Sequence, residues 1–244
     1  MKKLAVLGLA VATLVSLVPI VLAQDAADGP WNTLIIVACP GSSPCTYSIT
    51  AYNGDGSEAG TYTPTSALSA HGSTEIAISA VVGSGGAWNG SAIVSSDNEV
   101  AATAVMYVDN SIDREIYSSY TGGATEVYFA TTLGHIWGQN HVIAIQNITS
   151  SPVTGNIYYY AAGETTPTAT FPFSLNGYGS IAVDTSASAP DGPGLTGFSG
   201  STKITASGDI VAAIHGPNYS GQDAVAFEHS LPGNTTLYFP TALG

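Results

Sequence analysis

The chain has 244 residues, of which 45% are apolar and only 9% charged, with 17 acidic residues against four basic ones. Such an acidic excess leaves nothing to neutralise a phosphate backbone and excludes nucleic acid as a partner. The same sign argument excludes an anionic membrane surface, and the plentiful apolar and β-branched residues exclude a disordered chain.

Met1-Lys2-Lys3 precedes an unbroken run of small and apolar residues from Leu4 to Ala23. Two cations, an apolar stretch and Val21-Leu22-Ala23 before Gln24 predict a secretory signal over residues 1–23, cut after Ala23. A run of ~20 apolar residues would also span a bilayer if kept, so a retained anchor or a pilin-like helix is the alternative. Pro19 and the small residues at the cut favour removal, which takes Lys2 and Lys3 away and leaves Arg114 and Lys203 as the basic residues. The expected location is extracellular, in solution or at the cell surface. In that oxidising compartment Cys39 and Cys45, the two cysteines of the chain, are expected to form a disulfide across a short turn. Two thiolates without a neighbouring Cys or His make a poor metal site.

Sliding the sequence against itself exposes a repeat. Val127-Tyr128-Phe129-Ala130-Thr131-Thr132-Leu133-Gly134 returns as Leu237-Tyr238-Phe239-Pro240-Thr241-Ala242-Leu243-Gly244, a shift of about 110 residues. At the same shift Gly90-Ser91 meets Gly200-Ser201, Trp88 meets Phe198, Tyr117 meets Phe227, Asp113 meets Asp223 and Gly123 meets Gly233. Nearer each module's start the shift shortens slightly. There Asn32, Pro44, Ile49 and Gly72-Ser73 meet Asn140, Pro152, Ile157 and Gly179-Ser180. The reading is a signal peptide (1–23) and two homologous modules, 24–133 and 134–244.

Within each module the apolar period is two. Runs at 33–38, 46–52, 73–80, 91–95, 100–108 and 126–130 predict short strands, parted by Gly, Pro, Asn, Asp and Ser clusters such as Asn53-Gly54-Asp55-Gly56. Module two repeats them at 141–146, 155–161, 179–184, 202–206, 210–215 and 235–239, and no stretch after the signal favours an amphipathic helix. The expected fold class is all-β, two tandem β-sandwich modules.

Trp31-Asn32-Thr33 with its β-run, then Leu68 and Gly72-Ser73, then Gly90-Ser91-Ala92-Ile93-Val94-Ser95-Ser96-Asp97, then the closing Tyr-Phe-Pro, resemble tandem repeats of bacterial secreted and cell-surface proteins. Those repeats are similar to immunoglobulin-like sandwiches. The resemblance covers both modules and implies a surface or matrix role, with no catalytic residues to carry over.

Chemistry finds little purchase in the residues. Gly197-Phe198-Ser199-Gly200 lacks the spacing of a nucleophile elbow and matches Ala87-Trp88-Asn89-Gly90, which makes Trp88 and Phe198 core or covering aromatics. The five histidines, His71, His135, His141, His215 and His229, do not superpose at the repeat shift and read as turn or strand-face residues. Glu99 with Asp209, and Asp113 with Asp223, recur in both copies, as structural turn residues do; a glycosidase pair belongs once, in a cleft. No catalytic or cofactor-binding residue is assigned, and the expectation is a protein that is not an enzyme. Calcium is the one ionic candidate, on the oxygen-rich segment Asp109-Asn110-Ser111-Ile112-Asp113-Arg114-Glu115, against the plainer reading of a solvated turn. Asn89, Asn147, Asn218 and Asn234 head glycan sequons, which matter only if the source glycosylates.

The leading expectation is therefore a structural or adhesive surface protein that self-associates, with a carbohydrate-binding module for surface polysaccharide as the alternative. Trp31, Trp137 and Tyr158-Tyr159-Tyr160 would supply the rings, unless they form ordinary cross-strand pairs. The phase of the Tyr-Phe strand adds a question. It recurs after each module but not before the first. If each copy closes its own module, nothing follows. If it completes the module after it, module one lacks a strand and subunits can join head to tail by strand donation.

Overall fold

The computed structural model describes residues 14–18, 31–84, 88–108, 114–216 and 228–229. The β-branched and aromatic runs form β1 (Leu14–Val18), β2 (Trp31–Ala38), β3 (Tyr47–Asn53), β4 (Glu58–Tyr62) and β5 (Ser73–Ala77). After one helical turn, α1 (Ser79–Val82), come β6 (Gly90–Ser96), β7 (Ala101–Val108), β8 (Arg114–Ser118) and β9 (Ala124–Gly134). The chain continues with β10 (Val142–Asn147), β11 (Val153–Ala161), β12 (Ala169–Leu175), β13 (Ser180–Asp184), β14 (Phe198–His215) and β15 (Glu228–His229). The architecture is an all-β sandwich. No helix of the described residues is long and apolar enough to cross a membrane.

Two antiparallel sheets, β1-β6-β3-β4 and β5-β2-β7-β8, make the first unit. In the second, β14 serves both layers: residues 198–206 pair with β11 and β9, and residues 210–215 pair with β10 and β15. β12 and β13 flank these as outer strands. Layer by layer the orders correspond, β1-β6-β3-β4 to β9-β14-β11-β12 and β5-β2-β7-β8 to β13-β10-β14-β15. The registers agree as well: Ile49 lies opposite Val94 and Tyr62, and its counterpart Ile157 lies opposite Ile204 and Phe171.

Each unit has its own core. Ile35, Val37, Ile49, Val94 and Met106 anchor the first, and Phe129, Ile145, Ile157, Tyr159 and Ile204 the second. In β2 the buried residues alternate, Thr33, Ile35 and Val37 lying between half-buried neighbours, whereas β10 and residues 210–215 of β14 are buried on both faces.

Several elements depart from the sequence reading. The run at 73–80 ends as a strand at Ala77 and turns helical. The runs at 202–206 and 210–215 are one strand. β4 and β12 were not apparent in the sequence, since β4 carries Gly60 and has no fully buried residue, and β12 carries Pro172. Proline confines a strand to an edge, and β12 is an edge strand. The expected strand at 235–239 lies outside the described residues.

Candidate functional site

β9 is the element that sets the function in question, because it leaves the first unit and completes a sheet of the second. Lys203 lies opposite Tyr128, Ile204 opposite Val127 and Thr202 opposite Phe129, with an irregularity at residues 200–202. Val127 is 2% and Phe129 0% exposed, and both belong to the second core. On the other face Lys203 Nζ sits 2.6 Å from Glu126 Oε2 and 5.5 Å from the centroid of the Tyr128 ring, while the Tyr128 hydroxyl donates to Glu126. The hydrogen bond from Lys203 holds the Glu126 carboxyl below its ordinary range. Further along, the hydroxyls of Thr132 and Thr202 meet at 2.7 Å in a buried position. β9 therefore serves the module after it, not the module it ends.

The two units meet at a joint beside this crossing. The turn after β3 docks on the turn before β13: Ser180 N–H donates to Gly54 O at 3.0 Å and Asn176 Nδ2 to Asp55 O at 3.0 Å. Gly56, at φ +87°, lies so close to Gly177 that a Cβ would stand 2.1 Å from its carbonyl oxygen. Tyr52 stacks on Tyr178, and Ile93, Tyr120, Ile148 and Val211 complete a small apolar cluster. The Tyr120 hydroxyl donates to Ala212 O. Gly123, where the chain crosses, would place a Cβ 2.7 Å from Ile148 Cδ1 and 2.8 Å from Ile210 O, so no larger residue fits.

Titratable groups are sealed into the same region. Glu115 of β8 reaches across to His215 of β14, Oε1 to Nδ1 at 3.4 Å, with both side chains buried. His141 is buried too; Leu133 N–H donates to its Nδ1 at 3.2 Å, and burial together with neighbouring His215 lowers its pKa to about 4. Thr185 Oγ1 donates within this network, 2.7 Å from Leu133 O and 2.6 Å from Asn140 Oδ1. Groups so enclosed hold the strands together.

The residues singled out in the sequence fall as follows. Cys39 and Cys45 are bonded to each other. Of the acidic segment, 109–113 lie outside the described residues, and Glu115 faces His215 across the joint. Among the described residues no group of three His, Cys, Asp or Glu is placed to hold a metal ion. His71 and His135 occupy exposed turns with φ of 59° and 44°. Ser199 lies on β14 opposite Leu133. Glu99 and Asp209 are exposed, while Asp113 and Asp223 lie outside the described residues.

The aromatics divide. Phe198 packs edge-on against Tyr159 with centroids 6.3 Å apart, and Trp88 covers the first core and donates to Asn53 Oδ1 at 3.0 Å, so both are structural. Trp31 also packs on the first core. Tyr159 is fully buried and cannot meet a sugar, with Tyr158 and Tyr160 half-buried beside it. Trp137 alone stands well out, 78% exposed, at φ 56° in the turn between β9 and β10. Of the sequons, Asn89 is exposed and Asn147 is buried, its Nδ2 donating to Ser151 O and Asn176 O; Asn218 and Asn234 lie outside the described residues.

The joint itself escaped the sequence reading. Its one visible signal was the near-identity of Gly72-Ser73 and Gly179-Ser180, which places His71 and Tyr178, both at φ 59°, in the same strained turn position. No family model, curated protein or solved structure matches this chain.

Proposed function

We propose that this protein is a non-enzymatic structural or adhesive component of the cell surface or its matrix, built from tandem immunoglobulin-like modules. The observation that carries the reading is β9, which ends one module and completes the next, so that the modules are tied by a shared strand and not by a loose linker. A strand spent on the neighbouring sheet makes a stiff joint, as an extended surface component requires. The scarcity of charge, the sealed titratable groups and the Cys39–Cys45 disulfide support the same reading.

Secretion with the native signal tests it. The chain is expected outside the cell, beginning at Gln24, and visible by electron microscopy as stiff two-lobed particles or their assemblies. Retention in the cytoplasm, or flexibly hinged lobes, would sink it.

Exposed Trp137 favours one second reading, adhesion through a surface polysaccharide, because a lone open indole offers a stacking face to a pyranose ring. Glycan-array binding lost in Trp137→Ala would support it, and silence across polysaccharides would remove it.

A further inference from the structure

The layer that β9 completes in module two has a counterpart in module one, and the leader fills it. Residues 198–206 of β14 lie between β11 and β9; β6 lies between β3 and β1. Lys203 lies opposite Tyr128 and Thr202 opposite Phe129. Their counterparts Ile93 and Ala92 lie opposite Leu17 and Val18. Leu14–Val18 thus occupies the place on β6 that β9 occupies on β14. The sequence holds two edges of this kind and two Tyr-Phe segments: the first segment is β9, and Leu237-Tyr238-Phe239 repeats it.

The joint is heterologous, joining unlike surfaces of the two modules. Module two meets module one through Tyr178, Asn176 and Val211; the counterparts on module one, His71, Ser69 and Ala101, are all exposed. A contact between unlike surfaces that does not close on itself propagates as a filament.

We infer that the β6 edge accepts residues 237–239 of a second copy once the leader is hydrolysed at Ala23–Gln24, and that the protein polymerises head to tail by strand donation. This rests on the reading of an exported, leader-cleaved surface protein given above. Tyr238 comes opposite Ile93, Phe239 opposite Ala92 and Leu237 opposite Val94. Until cleavage, which a peptidase performs by adding water across that bond, Leu14–Val18 keeps the edge paired. Without it β6 presents unpaired N–H and C=O groups, which another strand satisfies. The exchange also favours larger apolar residues: the register positions opposite Val94 and Ala92 pass from Ser16 and Val18 to Leu237 and Phe239. In module two the same positions hold Val127 and Phe129, both buried.

The test uses the secreted chain beginning at Gln24. Ser95 and Thr236 take the places of Thr205 and Glu126, which lie opposite each other. Ser95→Cys in one preparation, mixed with Thr236→Cys in another, is expected to give a disulfide-linked dimer as the main product on a non-reducing gel, with filaments in wild type by electron microscopy. Phe239→Asp is expected to abolish filaments and leave the melting temperature of the subunit unchanged. A cross-link that forms within one chain carrying both cysteines but not between mixed chains would overturn the inference, as would unfolding of module two by Phe239→Asp. Secreted particles that stay monodisperse would end the inference and leave the surface reading intact, whereas an uncleaved leader would remove the reading beneath it.

Discussion

Tyr52 and Tyr178 stack across the joint with ring centroids 4.9 Å apart and planes 28° from parallel. Each ring comes from a different module, so the contact fixes one module against the other and contributes little inside either core. Such pairs contribute about 0.5–1.5 kcal/mol beyond the area they bury. Tyr178→Ala is therefore expected to loosen the joint by about 1–2 kcal/mol and leave both cores folded. Scanning calorimetry checks it: one unfolding transition in the wild type is expected to separate toward two in the variant.

Phe129 tests where β9 belongs. Its side chain is 0% exposed within the second core although the residue falls, by sequence repeat, at the end of the first module. Phe129→Ala is expected to destabilise module two by about 3–5 kcal/mol. Hydrogen exchange on the variant is expected to show β9 and β14 losing protection together, with β2 and β7 unchanged. Loss confined to module one would reassign the strand.

The comparison of the two modules explains how much the sequence disclosed. Period-two alternation marked β2, β3, β7 and β11, because these strands bury one face and the side chains record it, while β6, buried on both faces, stood out as a β-branched run between turn residues. Two edge strands escaped, β4 and β12, which answer to one neighbour and tolerate Gly60 and Pro172. The repeat located the aromatic positions of Trp88 and Phe198 and posed the question of the Tyr-Phe strand without answering it, because hydrogen bonding of β9 to β14 is non-local. The joint was illegible for the same reason: Asn53-Gly54-Asp55-Gly56 is a turn by composition, and only packing reveals that Gly54 and Asp55 receive hydrogen bonds from the second module. Tyr159 was equally opaque as the middle of three tyrosines, of which the core takes one.

The disulfide closes a short loop, with Cys39 and Cys45 both fully buried and their Cα atoms 5.9 Å apart. Closing so few residues restricts the unfolded chain modestly, by about 2 kcal/mol on the chain-entropy account. The Cys39→Ala, Cys45→Ala double variant is expected to lose about that much stability in module one by urea denaturation. Module two, which has no part in the loop, is expected to keep its midpoint.

His141 makes the joint sensitive to acid. Buried beside His215, which itself contacts Glu115, it accepts a hydrogen bond from Leu133 N–H at Nδ1, and a protonated ring cannot accept it. Its pKa falls from 6.5 to about 4 on folding. Between these values the unfolded chain binds a proton that the folded chain refuses, so stability rises with pH across the window and is lost as pH falls from 6.5 toward 4. At about 1.4 kcal/mol per unit, the loss at the bottom of the window is on the order of 3 kcal/mol. Above pH 6.5 this group contributes no slope. Urea midpoints measured from pH 7 to 4 are expected to fall more steeply for wild type than for His141→Gln, whose amide does not titrate; equal slopes would assign the acid sensitivity to another group.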